Sequence, residues 1–464
     1  MKVNKRPNIV LFLTDDHAAW ANGCYGNSDV MTPNLDFLAN KGVVMQNAFT
    51  PTPVCSPGRA CLFTGRISSQ HGVHDFIGSG LEDDNRNWVE NELILPELLQ
   101  VDGYETALIG KWHLGQECLS KQGFDHSFTI GPDFPIYHKG ERTHFRGDEA
   151  VLRKGYMAQN ITDDAIEYLR DRQVTEKPFF LVVGHYATHS PFEDHPERLV
   201  DYYRKKGIAP ASKQTNYPFG IQKNESLYQT REDRTEALCQ YYAGISQIDE
   251  SIGTILDELE KQDLMENTIV IYTADHGLNC GQHALFGKAN ATFPINMVEE
   301  NLRVPLIFYS PNHLFSQQVR TEWVDHTDLF NTILDLIGIE ESQEKKIERN
   351  SPGKSYAYFL TNTVPYISSW KDVQFCEYGP VKMVKWHEFK LVVYPDASQN
   401  ILFDLAKDPE EKLSYYHDEA YQKIREKLNK LVEDYYAKYV VEAYDARHFE
   451  NLPRYNKIIA WEEK

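Results

Sequence analysis

Asn8-Ile9-Val10-Leu11-Phe12-Leu13-Thr14-Asp15-Asp16-His17 is the stretch on which the fold turns. Its apolar run is too short for a buried helix. It is also unbroken, where a half-exposed strand would alternate, so it reads as a central strand of an α/β sheet covered on both faces. The run stops at two carboxylates. In open α/β sheets ligands bind beyond the carboxyl ends of the strands, so the residues just past such a run are the first candidates for chemistry.

The same construction recurs outward from this stretch. Thr32-Pro33 opens a short helix with a cap and a proline, Gly42 closes it, and Val43-Val44-Met45 starts a second strand. Residues 104–109 form a strand candidate followed at once by Gly110-Lys111-Trp112-His113-Leu114-Gly115. Residues 159–172 carry Ile161, Ala165, Ile166 and Leu169 at helical spacing. Residues 178–183 read as a buried strand leading to His185 and His189-Ser190-Pro191. The polar stretch 193–233 is expected to be an insertion over the site. Residues 235–262 form a long amphipathic helix, and residues 267–273 a strand that delivers Asp275-His276-Gly277 and then Gly287-Lys288. Residues 303–309 close the set of strands, followed by a helix through Leu329, Ile333, Leu334 and Ile337.

The alternation breaks after about residue 340, and residues 389–394 and 401–405 read as an antiparallel hairpin. The expected division is a catalytic domain over residues 1–345 and a smaller α+β subdomain over residues 346–464, with the hairpin and a terminal helix. The fold class is α/β, a large mixed, mostly parallel sheet flanked by helices.

Composition bounds the function. A chain of 464 residues with formal net charge -20 lacks the basic face that nucleic acid requires. Any anionic ligand must be drawn by a local positive pocket. No apolar run is long enough to span a bilayer, and no apolar core region precedes the first strand, so the expectation is a cytoplasmic protein, a removed secretion leader being the alternative. Seven cysteines, at 24, 55, 61, 118, 239, 280 and 376, form an odd set with no paired spacing. They make neither a disulfide framework nor a zinc site.

The loop after the second strand reads Val54-Cys55-Ser56-Pro57-Gly58-Arg59-Ala60-Cys61-Leu62-Phe63-Thr64-Gly65. It turns at Pro57-Gly58 and enters a helix, with Cys55 at or just before the first turn and Arg59 one turn on. Unpaired backbone N–H groups and the dipole at that end favour an anion. Arg59 brings a planar fork of donors suited to a tetrahedral oxyanion. A cysteine so placed can act on a phosphate- or sulfate-like group. Asp15, Asp16 and Asp275 offer hard oxygens suited to calcium or magnesium, and His276, a softer ligand, also admits manganese. Taken singly, a buried cysteine, a pair of capping aspartates or an Asp-His-Gly turn has an ordinary structural reading. Four equipped strand ends together with the Cys55 loop outweigh it.

In chain order, strand-Asp-Asp, Cys-x-Pro-x-Arg, Gly-Lys-Trp-His-x-Gly, His-x-Pro and Asp-His-Gly followed by Gly-Lys resemble the successive motifs of the type I sulfatases, in the alkaline phosphatase superfamily. The likeness spans residues 8 to about 310, with a weaker echo at Leu402-Phe403-Asp404-Leu405 and Asp408-Pro409. It implies an alkaline-phosphatase-like fold. It also implies a Cys55 oxidised to formylglycine by a formylglycine-generating or anaerobic sulfatase-maturing enzyme. A divalent cation, calcium with magnesium or manganese as alternatives, is then expected on Asp15, Asp16, Cys55, Asp275 and His276. By the same resemblance Arg59 holds the hydrate and metal site, and His113 serves the elimination that releases sulfate. Lys111, His189 and Lys288 neutralise sulfate and the departing alkoxide, with His189 or Lys288 as general acid. The implied substrate is a sulfated carbohydrate or a small aryl or steroid sulfate, the alternative activity being a phosphonate or phosphodiester monoesterase. Two positions depart from the family pattern: Gly58, where Ser or Ala is more frequent, and His276, where many members have Asn. His17, His74 and Asp75 are expected either to contact the leaving group or to support the ligands. The stretch 193–233 and the segment from Tyr378 to Trp386 are expected to wall the pocket.

Overall fold

The computed structural model describes residues 6–78, 86–131, 138–172, 177–208, 217–223, 230–314, 317–361, 370–457 and 459–462. One large sheet contains eleven strands. In chain order they are β1 (Asn8–Thr14), β2 (Val43–Phe49), β3 (Glu105–Gly110), β4 (His126–Ile130), β5 (Lys139–Arg146), β6 (Glu149–Tyr156), β7 (Phe179–His185), β8 (Thr268–Ala274), β9 (Arg303–Val304), β10 (Leu306–Tyr309) and β11 (Gln318–Asp325). Their spatial order is β9-β2-β10-β8-β1-β7-β3-β4-β5-β6, with β11 also on β2. The centre, β8-β1-β7-β3-β4, is parallel, while β10 runs antiparallel to β8 and β2, and β5 and β6 form an antiparallel ribbon at one edge.

All seven residues of β1 are buried, and they alternate between two cores. Ile9, Leu11 and Leu13 pack with Phe180, Val182, Ile269 and Ile271 under the helices Cys55–Thr64 and His326–Leu336. Val10 and Phe12 pack with Leu181, Val183, Val270 and Tyr272 under Pro33–Lys41, Met157–Asp171 and Arg231–Lys261. Coverage on both faces is what made the run continuous. A four-stranded antiparallel sheet, Val373–Tyr378, Val381–Trp386, Phe389–Val393 and Ile401–Asp404, follows toward the C-terminus. The helix Gln422–Tyr439 packs on it through Leu428 and Val432.

Several expectations change. Residues 303–309 are two strands parted at Pro305, which has no N–H for the ladder, and β11 follows them as a further strand. The stretch 193–233 is only partly polar surface: Glu197–Lys206 is a helix whose Leu199, Val200 and Tyr203 are buried. The long helix starts inside that stretch at Arg231, where the Thr230 hydroxyl accepts from Asp233 N at 3.0 Å. Residues 209–216 and 224–229 of the stretch lie outside the described residues. The hairpin is the last pair of four strands, and the segment from Tyr378 to Trp386 supplies the end of the first and the whole of the second. Among the described residues no helix is long and apolar enough to cross a membrane.

Leu11 is wholly buried in the central strand. Leu11→Ala is expected to destabilise the protein by about 3 kcal/mol, a cavity cost in a site that cannot collapse, read as a lower urea midpoint at unchanged slope.

Candidate active site

The strand tips are held level by hydrogen bonds that continue past the strands. Asp15 N donates to His185 O at 3.2 Å, Asp275 N to Thr14 O at 3.0 Å, and Lys111 N to Gly184 O at 2.9 Å. Close approach is required here: a Cβ on Gly110, whose φ is +100°, would lie 2.1 Å from Gly184 O. Asp16 and His113 also have positive φ, 50° and 64°, a conformation that costs energy in non-glycine residues and clusters at functional sites.

Cys55 is the first residue of the helix Cys55–Thr64, all ten residues of which are buried. A Cβ on Gly58 would lie 2.6 Å from the carbonyl oxygen of Asp275, so the glycine lets the first turn rest on that main chain. The departure from the family pattern has a packing reason in this chain. The fork of Arg59 serves the scaffold: Nε pairs with Asp275 Oδ2 at 2.8 Å and Nη1 donates to Lys111 O at 2.9 Å, both side chains being fully buried. One side chain thus ties three of the motifs together, and two of its donors are committed to that scaffold.

Asp15, Cys55, Asp275 and His276 each bring a ligand atom within 4.8 Å of the others, and Asp16, Cys55 and His189 do the same beside them. The donor set fits a divalent cation on three counts. Asp15 Oδ1 is buried and has no hydrogen-bond partner. His276 Nδ1–H donates to Gly277 O at 2.8 Å, which turns Nε2 toward Asp16 Oδ1 at 3.1 Å, Asp275 Oδ1 at 3.5 Å and Asp15 Oδ1 at 3.7 Å. A neutral imidazole there points its lone pair at carboxylate oxygens, which calls for a cation between them. Charges point the same way: burial, then Asp15, pushes Asp275 up to about 7. Burial disfavours charge on His276, yet Asp275 holds it up at about 9. The cluster requires extra positive charge, from protons or from a metal.

Cations ring the sulfur of Cys55. Lys288 Nζ lies 2.8 Å from Sγ and 2.8 Å from Asp16 Oδ1, and His276 Nε2 lies 3.4 Å from Sγ. Burial alone would push the Cys55 thiol up, but Lys111, Lys288 and His276 pull it well below the ordinary range. Lys111 pairs with Asp15 and sits 4.3 Å over the Tyr186 ring, a partner that no motif pointed to. Burial and the Cys55 thiol push Asp15 up, yet Lys111, His189 and Lys288 hold it below the usual carboxylate range. His189 Nε2 is 4.0 Å from Asp16 Oδ2 on the more open side, its side chain 17% exposed. His113 adjoins Cys55 and donates from Nε2 to Ile77 O at 2.9 Å. Burial, then Lys111, pushes the His113 imidazole down and keeps it neutral.

The three accessory residues part company. His17 Nδ1 bonds Tyr272 OH at 2.5 Å inside the core, and His74 Nε2 bonds Tyr444 O at 2.8 Å. Asp75 receives the Tyr378 hydroxyl at 2.5 Å, so Tyr378 is a buried support behind the site. Trp386, at the far end of its strand, packs against Phe389 instead of walling the pocket.

Known proteins carry the same organisation. Residues 7–339 match the family model described as sulfatase, and residues 281–438 match that of the C-terminal part of N-sulphoglucosamine sulphohydrolase. An N-acetylglucosamine-6-O-sulfatase of Bacteroides thetaiotaomicron is 28% identical, over 93% of this chain and 86% of that protein. The N-acetylgalactosamine-6-sulfatase of Homo sapiens is 26% identical, over 92% and 85%. A structure solved with its substrate D-glucosamine-2-N,6-O-disulfate superposes with TM-score 0.80 at 25% identity, covering 94% of this chain and 98% of that one. A phosphonate monoester hydrolase of Agrobacterium radiobacter shares the fold alone, at TM-score 0.73 and 21% identity. With the sulfatase model matched over well more than half of its length, the chain belongs to the sulfatase family and is a hydrolase of sulfate esters.

Proposed function

We propose that this sulfatase removes a 6-O-sulfate from an amino sugar of a sulfated glycan, with Cys55 converted to formylglycine and a calcium ion on the strand tips. The observation that carries the reading is the ring around position 55, with Asp15, Asp275 and His276 within 4.8 Å of one another and of Sγ, and Lys288 2.8 Å from it. The sugar class rests on the relatives, which are named for 6-sulfated N-acetylhexosamines.

Asp15, Asp16, Asp275 and His276, with position 55, would hold the cation, whose chemistry is to polarise the attacking oxygen. Oxygen predominates among these donors and favours calcium, with magnesium or manganese as alternatives. Formylglycine, made by a formylglycine-generating or anaerobic maturing enzyme, offers two hydroxyls on one carbon when hydrated, so that sulfate leaves by elimination. Arg59 keeps Asp275 and the Lys111 carbonyl in place while this happens. Lys111 and Lys288 spread positive charge over the sulfate oxygens. His113, neutral and fixed by the Ile77 carbonyl, takes the proton whose loss drives the elimination. Lys288 is committed to Asp16 and position 55, whereas His189 lies on the open side with an imidazole suited to proton transfer near neutrality, so His189 is the general acid. In the same reading residues 1–345 form the catalytic domain and residues 346–464 the subdomain that closes one side of it.

The test is a panel of sulfated monosaccharides with phenyl phosphonate beside it. Sulfate release is expected from 6-O-sulfated N-acetylglucosamine or N-acetylgalactosamine, in proportion to the fraction of protein whose position-55 peptide has lost the thiol mass. Faster turnover of phenyl phosphonate, or none from a fully converted sample, overturns the reading. Chelator-treated protein should lose activity and melt at lower temperature, and stoichiometric calcium should restore both, since a ligand bound only by the folded state stabilises it. His189→Ala should slow release from a sugar sulfate by about 100-fold or more while sparing 4-nitrophenyl sulfate, whose leaving group needs no proton.

A further inference from the structure

The chain returns to the catalytic site near its C-terminus. The loop after the short helix Ser68–His71 touches two parts of the machinery: Ile77 O accepts from His113 Nε2 at 2.9 Å, and Ile77 N donates to Ser56 Oγ, next to Cys55, at 3.0 Å. His113 has φ +64°, and its buried Nδ1 has no hydrogen-bond partner among the described residues, so the Ile77 carbonyl sets the direction and the tautomer of the ring.

That loop is held by residues more than 370 positions away. Gly78 N donates to Tyr455 O at 2.9 Å, and Asn456 Nδ2 donates to Asp75 Oδ2 at 3.1 Å and to Phe76 O at 2.9 Å. Tyr455 OH donates to Gly72 O at 2.6 Å, and the Tyr455 ring lies 5.0 Å from that of Trp88. Asp75 Oδ1 receives Phe76 N at 2.8 Å and Tyr378 OH, so Asn456 holds the other oxygen of the carboxylate. Asp75, Tyr455 and Asn456 are all at least nine-tenths buried. The fit is close: a Cβ on Gly78 would meet Asn456 Cβ at 2.9 Å.

We propose that Asn456 is a positioning residue of the catalytic site, fixing residues 75–78 so that the Ile77 carbonyl orients His113. The inference rests on the role given to His113 above. The test uses the full-length, formylglycine-converted enzyme as Asn456→Ala, His113→Ala and the double variant. Rates are followed on 4-nitrophenyl sulfate and on the best sugar sulfate of the panel, and amide exchange is followed at Ile77 and Gly78. Asn456→Ala should lower kcat about 10-fold or more with KM within about 2-fold, because a small misplacement of a reacting group costs rate more than binding. Exchange at Ile77 and Gly78 should rise, and the kcat loss should vanish in the His113→Ala background. An unchanged kcat, a rise in KM alone, or the same loss with and without His113 overturns the proposal. If His113→Ala by itself leaves kcat intact, the role of His113 fails instead. Asp75→Asn, which keeps the side-chain shape but weakens the acceptor, should give the same pattern and serves if Asn456→Ala does not fold.

Discussion

Three carboxylates, Asp15, Asp16 and Asp275, are buried together at the tips of two adjacent strands, and the site is arranged around the energy this costs. Unpaired carboxylates out of water are penalised by many kcal/mol, so they persist only with compensating charge. Arg59 meets Asp275, Lys111 meets Asp15 and Lys288 meets Asp16, one cation to each anion. His276 Nε2 and the Cys55 sulfur face the same oxygens, and Asp275 holds His276 up at about 9, so the cluster is balanced only when a proton or a metal ion adds positive charge there. The same cations that offset the aspartates also surround position 55, so positive charge is gathered at one buried point. In a protein of formal charge -20 this cluster is a local concentration of positive charge, which is what drawing an anion to an acidic chain requires.

Such a cluster needs a frame that does not yield. The sheet provides it through register: β1 lies parallel between β7 and β8, residue against residue, so that Thr14 pairs with His185 and Ala274. The tips can then differ in chemistry and still lie at one level. Both cores are mostly apolar along the central strands, the buried polar side chains there being few, such as Thr106, His185 and Thr268.

The parts of this arrangement that could be read from the chain alone are those carried by uninterrupted patterns. The run Ile9–Leu13 identified a doubly covered strand, and each buried run delivered its motif to the place where a strand ends. β5 and β6 escaped notice because Lys-Gly-Glu-Arg-Thr-His-Phe-Arg and its partner form the ribbon at the sheet's edge, largely exposed and rich in charge, with no apolar period to read. β11 escaped because its residues mix charged, polar and apolar types with no clear alternation. His74 and Asp75 looked alike beside a motif, yet one faces Tyr444 and the other Tyr378 and Asn456. Nothing local distinguishes them, since their partners lie hundreds of residues on. Arg59 is similar: its residue type spoke for an oxyanion, and only the fold reveals that Asp275 and the Lys111 carbonyl take two of its donors.

No methyl group fits between Gly58 and the Asp275 carbonyl, so the Cys55 loop and the far strand tip are not free to drift separately. A lineage could install the bulkier residue common among its kin only by first letting the Asp275 tip retreat, and that retreat would pull on Arg59. Homologues with a side chain at this point are therefore expected to hold the aspartate matching Asp275 at a slightly different height, and grafting one loop onto the other's scaffold would fail unless both halves are exchanged.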